Sequence, residues 1–296
     1  MGKINNIFIY FILFVFKIIS IVLPRKCKTM LGKIIGSSIF FCWKYRRNIA
    51  IENLTYSFPE KSNYEIKSIA KRSFQSLAIT FLEFFSFNYI SKDKLKNMLD
   101  FEEGFNLISK IKTDDKGMLF VSGHFGNWEL VAFAVGIFTN IPVTIIVKPQ
   151  ANKIVDAELN KIRTSQGNKI VSMYNAARTI ITEIKSGNAI ALLVDQAATG
   201  NVDVFVDFFG RPASTFKVVA ELALRYKLPL IMGFAIRQQD GKYKADIVEI
   251  DHSDLDFSQA NVLELTKRHT KHLENTICKH PEQWAWMHKR WKHYPK

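Results

Sequence analysis

Apolar residues fill two blocks near the start of the chain, Ile7 to Phe16 and Ile18 to Leu23, separated only by Lys17. Together they have the length that spans a bilayer or lies along its surface. The following Ile-Val-Leu-Pro-Arg-Lys lacks a small-x-small cleavage site, so the stretch 1–23 is expected to remain as a membrane-anchor helix. Arg25, Lys26, Lys28 and Lys33 follow it, against Lys3 before it, a bias that places the rest of the chain on the cytoplasmic side. Lys17 leaves a second reading open, a greasy helix of the soluble core. Lys33 to Trp43 is shorter and broken by Gly36 and Ser37-Ser38, so 24–61 reads as a segment packed against the anchor or half-sunk in the interface.

From residue 62 the periodicity becomes that of a folded domain, 62–296. Ser62-Asn-Tyr-Glu65 is a capping box, and Ile66, Ile69, Ala70, Phe74, Leu77, Phe81 and Phe84 recur at three- and four-residue steps, predicting an amphipathic helix to about Phe87. Its stripe is core, or an acyl-chain wall made of Phe74, Phe81 and Phe84. Met118 to Val121 is a buried-strand run, and Asn127 caps a helix over Leu130 to Phe138. Strand Val143 to Val147, helix Lys153 to about Ser165, strand Ile170 to Met173, helix Ala176 to Ser186 and strand Ala189 to Val194 follow. This β-α order predicts an α/β fold with a largely parallel central sheet flanked by helices. Val202 to Phe208 is a further strand, Gly210-Arg-Pro212 a turn, and Ser214 the cap of a helix through Tyr226. Leu230 to Ile236 and Tyr243 to Ile250 form a hairpin that closes the sheet, and Asn261 to about Lys279 is a polar helix.

Composition narrows the class. A hydrophobic content of 48% over 296 residues excludes a disordered chain. The formal charge of +14 attracts phosphates, whether of nucleic acid, anionic lipid or an acidic partner. Cys27, Cys42 and Cys278 are few and far apart, so neither a disulfide framework nor a zinc site is indicated. The tail carries Trp284, Trp286 and Trp291 among His288, Lys289, Arg290, Lys292 and His293, which suits a phospholipid interface or stacking on single-stranded nucleic acid.

Chemistry concentrates at Ser122 to Glu129, where the strand breaks at Gly123 and His124 enters a loop kept open by Gly123 and Gly126. Four residues separate His124 from Glu129, so a carboxylate–imidazole hydrogen bond across the turn would make a general-base dyad. No G-x-S-x-G elbow supplies a nucleophile, so the base would activate a substrate hydroxyl, with N–H groups of the glycine loop facing the oxyanion. Asp195 ends an apolar strand, as a ligand residue or a turn residue; Arg163 is a solvated helix residue or a phosphate grip, and Arg211 offers another grip.

His124-Phe125-Gly126-Asn127-Trp128-Glu129 resembles the His-x4-Asp/Glu signature of glycerolipid-type acyltransferases, in the wording of the branch that adds the late lauroyl and myristoyl chains to lipid A. Arg47-Asn48 to Asn53-Leu54, Phe58-Pro59-Glu60, Arg163 with Gly167, Asp195-Gln196, Phe208 to Pro212 and Pro281 to Trp286 with His288, Arg290 and Trp291 extend it over nearly the whole chain. The resemblance implies an acyl thioester of acyl carrier protein as donor, an acidic glycolipid as acceptor (a lipid A precursor bearing Kdo), and no metal or redox cofactor. It implies His124 and Glu129 as catalytic residues and Asn127, Arg163, Asp195 and Arg211 as substrate-binding ones. It further implies contact with membrane lipids and a place at the bacterial inner membrane, the catalytic domain facing the cytoplasm. A relative acylating a mannoside or ornithine lipid stays open, as does a non-catalytic basic protein of membrane surfaces or nucleic acid.

Overall fold

A computed structural model describes residues 2–112, 116–198 and 203–293. Val202, the first residue of one expected strand, and Met1 lie outside them.

Three helices open the chain: α1 (Gly2–Val22), α2 (Arg25–Cys42) and α3 (Lys44–Ser57). Among the described residues no helix is long and apolar enough to cross a membrane, so a spanning anchor is not supported. Lys17 ties α1 to the domain. Its ammonium turns inward to Glu158 at 2.5 Å, while Phe16 meets Phe85 edge-on at 5.3 Å. One face of α1 therefore packs on the domain, and Tyr10, Phe11, Phe14, Ile18 and Val22 remain exposed on the other. The α2 helix packs on α4 (Asn63–Phe84) rather than on α1. Gly32 and Gly36 lie against the α4 backbone at Ile79 and Gln75, where a Cβ would collide. The glycine read as a break in the apolar run is thus a point of close helix approach. The capping box forms as expected, with Ser62 accepting from the Glu65 N–H and Glu65 accepting from the Ser62 N–H at 2.8 Å.

Next come α5 (Lys92–Met98), β1 (Leu99–Asp100) and α6 (Glu102–Ile111), which the periodicity did not reveal. The alternation expected from the sequence follows nearly residue for residue: β2 (Met118–Ser122), α7 (Trp128–Phe138), β3 (Val143–Val147), α8 (Lys153–Arg163), β4 (Lys169–Ser172), α9 (Ala176–Lys185) and β5 (Ala189–Leu193). Then β6 (Asp203–Phe208) and β7 (Arg211–Phe216) form a separate antiparallel hairpin, before α10 (Val218–Tyr226), β8 (Leu230–Arg237), β9 (Tyr243–Glu249) and α11 (Gln259–Lys279). Ser214 is therefore a strand residue and not a helix cap. Its hydroxyl is buried between the Ala198 carbonyl, 2.9 Å away, and Asp203. Phe209 and Gly210 both have positive φ, the conformation of a two-residue hairpin turn, so the turn expected at Gly210-Arg-Pro212 lies one residue earlier and leads into β7 instead of a helix.

The main sheet has the order β1-β9-β8-β2-β5-β3-β4, parallel throughout except where β9 runs antiparallel to β8. It is the expected mostly parallel sheet flanked by helices, although the β8–β9 hairpin does not close it: β1 adds an edge beyond β9. Strands β2 and β8 are buried along nearly their whole length, as continuous apolar runs require in a sheet covered on both faces. The chain leaves β2, builds β3 and β4, and returns to lay β5 directly beside β2 with Ser122 opposite Leu193. That return positions the site.

Candidate active site

His124 and Asp195 each lie two residues beyond a registered pair of parallel strand ends, so they leave the sheet at the same edge, where open α/β sheets place ligands. The Asp195 carboxylate grips the loop at three points. Its Oδ1 lies 2.8 Å from His124 Nδ1, and its Oδ2 accepts the His124 backbone N–H at 2.7 Å and the Trp284 indole N–H at 2.9 Å. A carboxylate against Nδ1 fixes the ring with its proton on that nitrogen and leaves Nε2 as the base. The imidazole is 25% exposed, so Nε2 can be reached, while Asp195 is 3% exposed. Burial pushes the Asp195 carboxyl up, but the His124 ring, its N–H and the indole outweigh that and hold it at about 2. Burial likewise opposes charge on His124, yet Asp195, with a smaller contribution from Glu129, raises the imidazole above its usual 6.5.

Glu129 does not make the hydrogen bond expected of it. It stands in the first turn of α7, and its carboxylate is clamped by Arg163, Nε to Oε2 at 3.0 Å and Nη2 to Oε1 at 2.5 Å. This corrects two expectations together: the His124 partner is Asp195, and Arg163 is an internal counter-ion rather than a solvated residue or free phosphate grip. A spacing of five positions along the chain brings Glu129 near enough to act on His124 through its charge only. Asn127 is a helix cap as expected, its Oδ1 accepting the Leu130 N–H at 3.1 Å, and it is fully buried. Its Nδ2 donates to Glu83 at 2.9 Å, within a buried group that includes Tyr243 and Arg237. Arg211 sits apart at the β6–β7 turn, 4.0 Å over the Tyr56 ring and 5.5 Å from that of Trp291.

The loop itself is held rigidly. Gly126 has φ +55 and lies against the Ala235 carbonyl, a place no side chain can share. Its N–H donates to the Gln283 carbonyl at 2.9 Å and its carbonyl accepts from the Thr80 hydroxyl at 2.8 Å. The N–H groups of His124, Phe125, Gly126 and Asn127 all donate within the protein, so these loop amides are not free to face an oxyanion. A side-chain donor is present instead: Gln196 Nε2 lies 3.3 Å from His124 Nε2. Beside the ring, a shallow depression is bounded by Ser73 and Leu77 of α4, by Gly126 and Trp128, and by Gln283 to Ala285. Phe81 and Trp128 meet edge-on at 6.3 Å at its side, whereas Phe74 and Phe84 are core.

The tail is the residue group that sequence reading placed worst. Trp284, Trp286 and Trp291 are buried, so the tail does not present them to lipid or to bases. The segment passes under the His loop, where the Ala285 N–H donates to the His124 carbonyl at 3.0 Å. Among the described residues no group of His, Cys, Asp or Glu is arranged to hold a metal.

The model of the bacterial lipid A biosynthesis acyltransferases matches residues 3–293. This chain belongs to that family. It is 25% identical over 281 residues to the lipid A biosynthesis palmitoleoyltransferase of Escherichia coli (strain K12), covering 92% of this chain and 87% of that protein. The lipid A biosynthesis lauroyltransferase of the same organism is 25% identical over 276 residues, covering 92% and 88%. A lipid A biosynthesis acyltransferase of Haemophilus influenzae is 24% identical over 246 residues, covering 82% and 75%. Family membership supports an enzyme that transfers acyl groups.

Proposed function

We propose that this protein moves a fatty acyl chain from the thioester of acyl carrier protein to a hydroxyl of a lipid A precursor, in lipopolysaccharide or lipooligosaccharide synthesis at the cytoplasmic face of the inner membrane. The observation that carries the reading is the His124–Asp195 pair at the sheet edge, in a chain whose family acylates lipid A. His124 Nε2 takes the proton of the acceptor hydroxyl as its oxygen attacks the thioester carbonyl, and Asp195 stabilises the imidazolium. The tetrahedral intermediate then expels the thiolate, which takes the same proton from His124 and leaves as thiol. Gln196, which now lies against Nε2, yields that position to the hydroxyl and turns its amide toward the oxyanion. Glu129 and Arg163 anchor the start of α7; the charge of Glu129 favours the imidazolium and that of Arg163 opposes it by less.

The depression at His124 is shallow, so it takes the reacting groups and leaves most of the substrate outside it. Acceptor and chain approach from the bilayer. The exposed face of α1, with Phe11, Phe14 and Ile18, lies in the interface and supplies the membrane contact, basic residues Lys26 and Lys33 meeting the headgroups. Mass spectrometry of lipids from cells with and without the protein tests the reading. Disappearance of one acyl chain from lipid A on deletion, restored by the wild-type chain but not by His124→Ala, is expected. An unchanged lipid A profile with a change in another lipid class would overturn the acceptor assignment.

A further inference from the structure

Two cations from opposite ends of the chain converge on one ring. The Arg46 guanidinium lies 5.8 Å and the Lys289 ammonium 5.2 Å from the centroid of Tyr45, and Arg46 is also 5.5 Å from that of Trp43. Tyr45, Trp43 and Lys289 are exposed, so the group opens to solvent. Among the described residues neither Arg46 nor Lys289 is ion-paired with a carboxylate, although surface carboxylates elsewhere do pair, as Asp254 does with Arg268. Like charges brought together repel, and two of them gathered over an aromatic face make a receptor for an anion with more than one oxygen.

The group is tied to the catalytic loop by the backbone. Arg46 Nη1 donates to the Met287 carbonyl at 3.0 Å, and Asn53 Nδ2 donates to the carbonyls of Trp286 and His288 at 2.8 and 2.9 Å. Two residues before Met287, the Ala285 N–H holds the His124 carbonyl. The backbone thus joins the cations to the segment under the His loop, through contacts two residues apart at 285 and 287. His288 senses the charges of Asp195 and His124 and has a buried Nδ1 with no protein partner among the described residues.

We infer that Arg46 and Lys289, held over Tyr45, form the subsite for a phosphate monoester on the headgroup of the acceptor glycolipid. The inference rests on the acyl-transfer reading above for the identity of the acceptor, but its test needs no turnover. Full-length protein is titrated with detergent micelles carrying a phosphorylated lipid A precursor, the same lipid after phosphatase treatment, or phosphatidylglycerol. Wild type is expected to bind the phosphorylated lipid at least about tenfold more tightly than the dephosphorylated one, the worth of one charge-assisted hydrogen bond or more. Arg46→Gln/Lys289→Gln should reduce that preference to within about twofold and leave the dephosphorylated lipid bound as in wild type. Because Arg46 also holds the Met287 carbonyl, the single variant Lys289→Glu, at an exposed side chain, guards against a folding defect and should show the same loss of preference.

Retention of the phosphate preference in both variants, or an equal loss for both glycolipid forms, would overturn the subsite. So would a loss on phosphatidylglycerol micelles as large as that on the phosphorylated glycolipid, which would assign the cations to the membrane surface. Wild-type protein that shows the preference but no acyl transfer would sink the reaction and keep the subsite.

Discussion

Replacing Asp195 with Asn tests the geometry at its centre, because the change removes one charge and almost no volume. Which way the new amide points is decided by its neighbours. The Oδ2 position receives two donors, the His124 N–H at 2.7 Å and the Trp284 indole at 2.9 Å, so the amide oxygen must stay there. The amide NH2 is thereby forced onto the Oδ1 position, 2.8 Å from His124 Nδ1. A donor there makes Nδ1 the acceptor and moves the ring proton to Nε2, the nitrogen that has to receive the substrate's proton. A carboxylate-to-amide change in a Ser-His-Asp triad lowers turnover ~10⁴-fold by this route, and a loss of ~10³–10⁴-fold is expected here, about 4–5.5 kcal/mol of barrier. The assay is single-turnover acyl transfer with purified Asp195→Asn protein, alongside nitrogen NMR of His124 to read the tautomer. Turnover within tenfold of wild type by a folded variant, or a ring still protonated on Nδ1, would refute the reasoning. The same pair governs stability at low pH. Asp195 is depressed from 3.8 to about 2, so its contribution is complete above 3.8 and lost as pH falls through about 2, ~2 kcal/mol in all. The Asp195→Asn variant lacks that part of the pH dependence.

In wild type the raised imidazole of His124 must be neutral to act, so kcat/KM should fall as pH drops through a value above 6.5, and an acid limb below 6.5 would contradict the pairing. Arg163→Ala leaves the Glu129 carboxylate half of a clamped pair and should lower stability by ~3–5 kcal/mol, with Glu129→Gln/Arg163→Ala recovering part of it in thermal unfolding. An unchanged Tm with a loss confined to acceptor KM would return Arg163 to a phosphate-binding role. Gly126→Ala places a methyl on the Ala235 carbonyl at φ +55, so insoluble or inactive protein is expected, and normal activity in a soluble variant would show that the loop can move. The two faces of α1 should separate: Phe16→Asp lowers Tm by exposing the Phe85 contact, while Phe11→Asp/Phe14→Asp leaves Tm alone and weakens sedimentation with anionic vesicles. Equal Tm losses in both would make α1 a core helix throughout.

What the sequence determined by itself is what short-range physics controls. The capping box at Ser62, the Asn127 cap, the ends of β3 within Val143–Val147 and the β-α order from β2 to β5 follow from periodicity and local hydrogen bonding, and with them the parallel sheet. The position of His124 in a strand-to-helix loop follows for the same reason. Its partner does not. Glu129 is the near carboxylate in sequence, but the helix it begins carries it toward Arg163 on α8, while strand register, which sequence spacing does not encode, lays Asp195 against the ring from 71 residues away. Gln196, Thr80 and the Gln283 to Ala285 segment enter the site the same way, through contacts that exist only once distant elements pack. Charge and aromatic content told equally of lipid, nucleic acid and core. Tertiary structure separated core from surface by burying the three tryptophans, turning Lys17 inward to Glu158, and leaving Tyr45, Trp43 and the outer face of α1 exposed. The same residue types carry opposite roles here because burial is a property of neighbours, and neighbours are fixed by the folded chain rather than by composition.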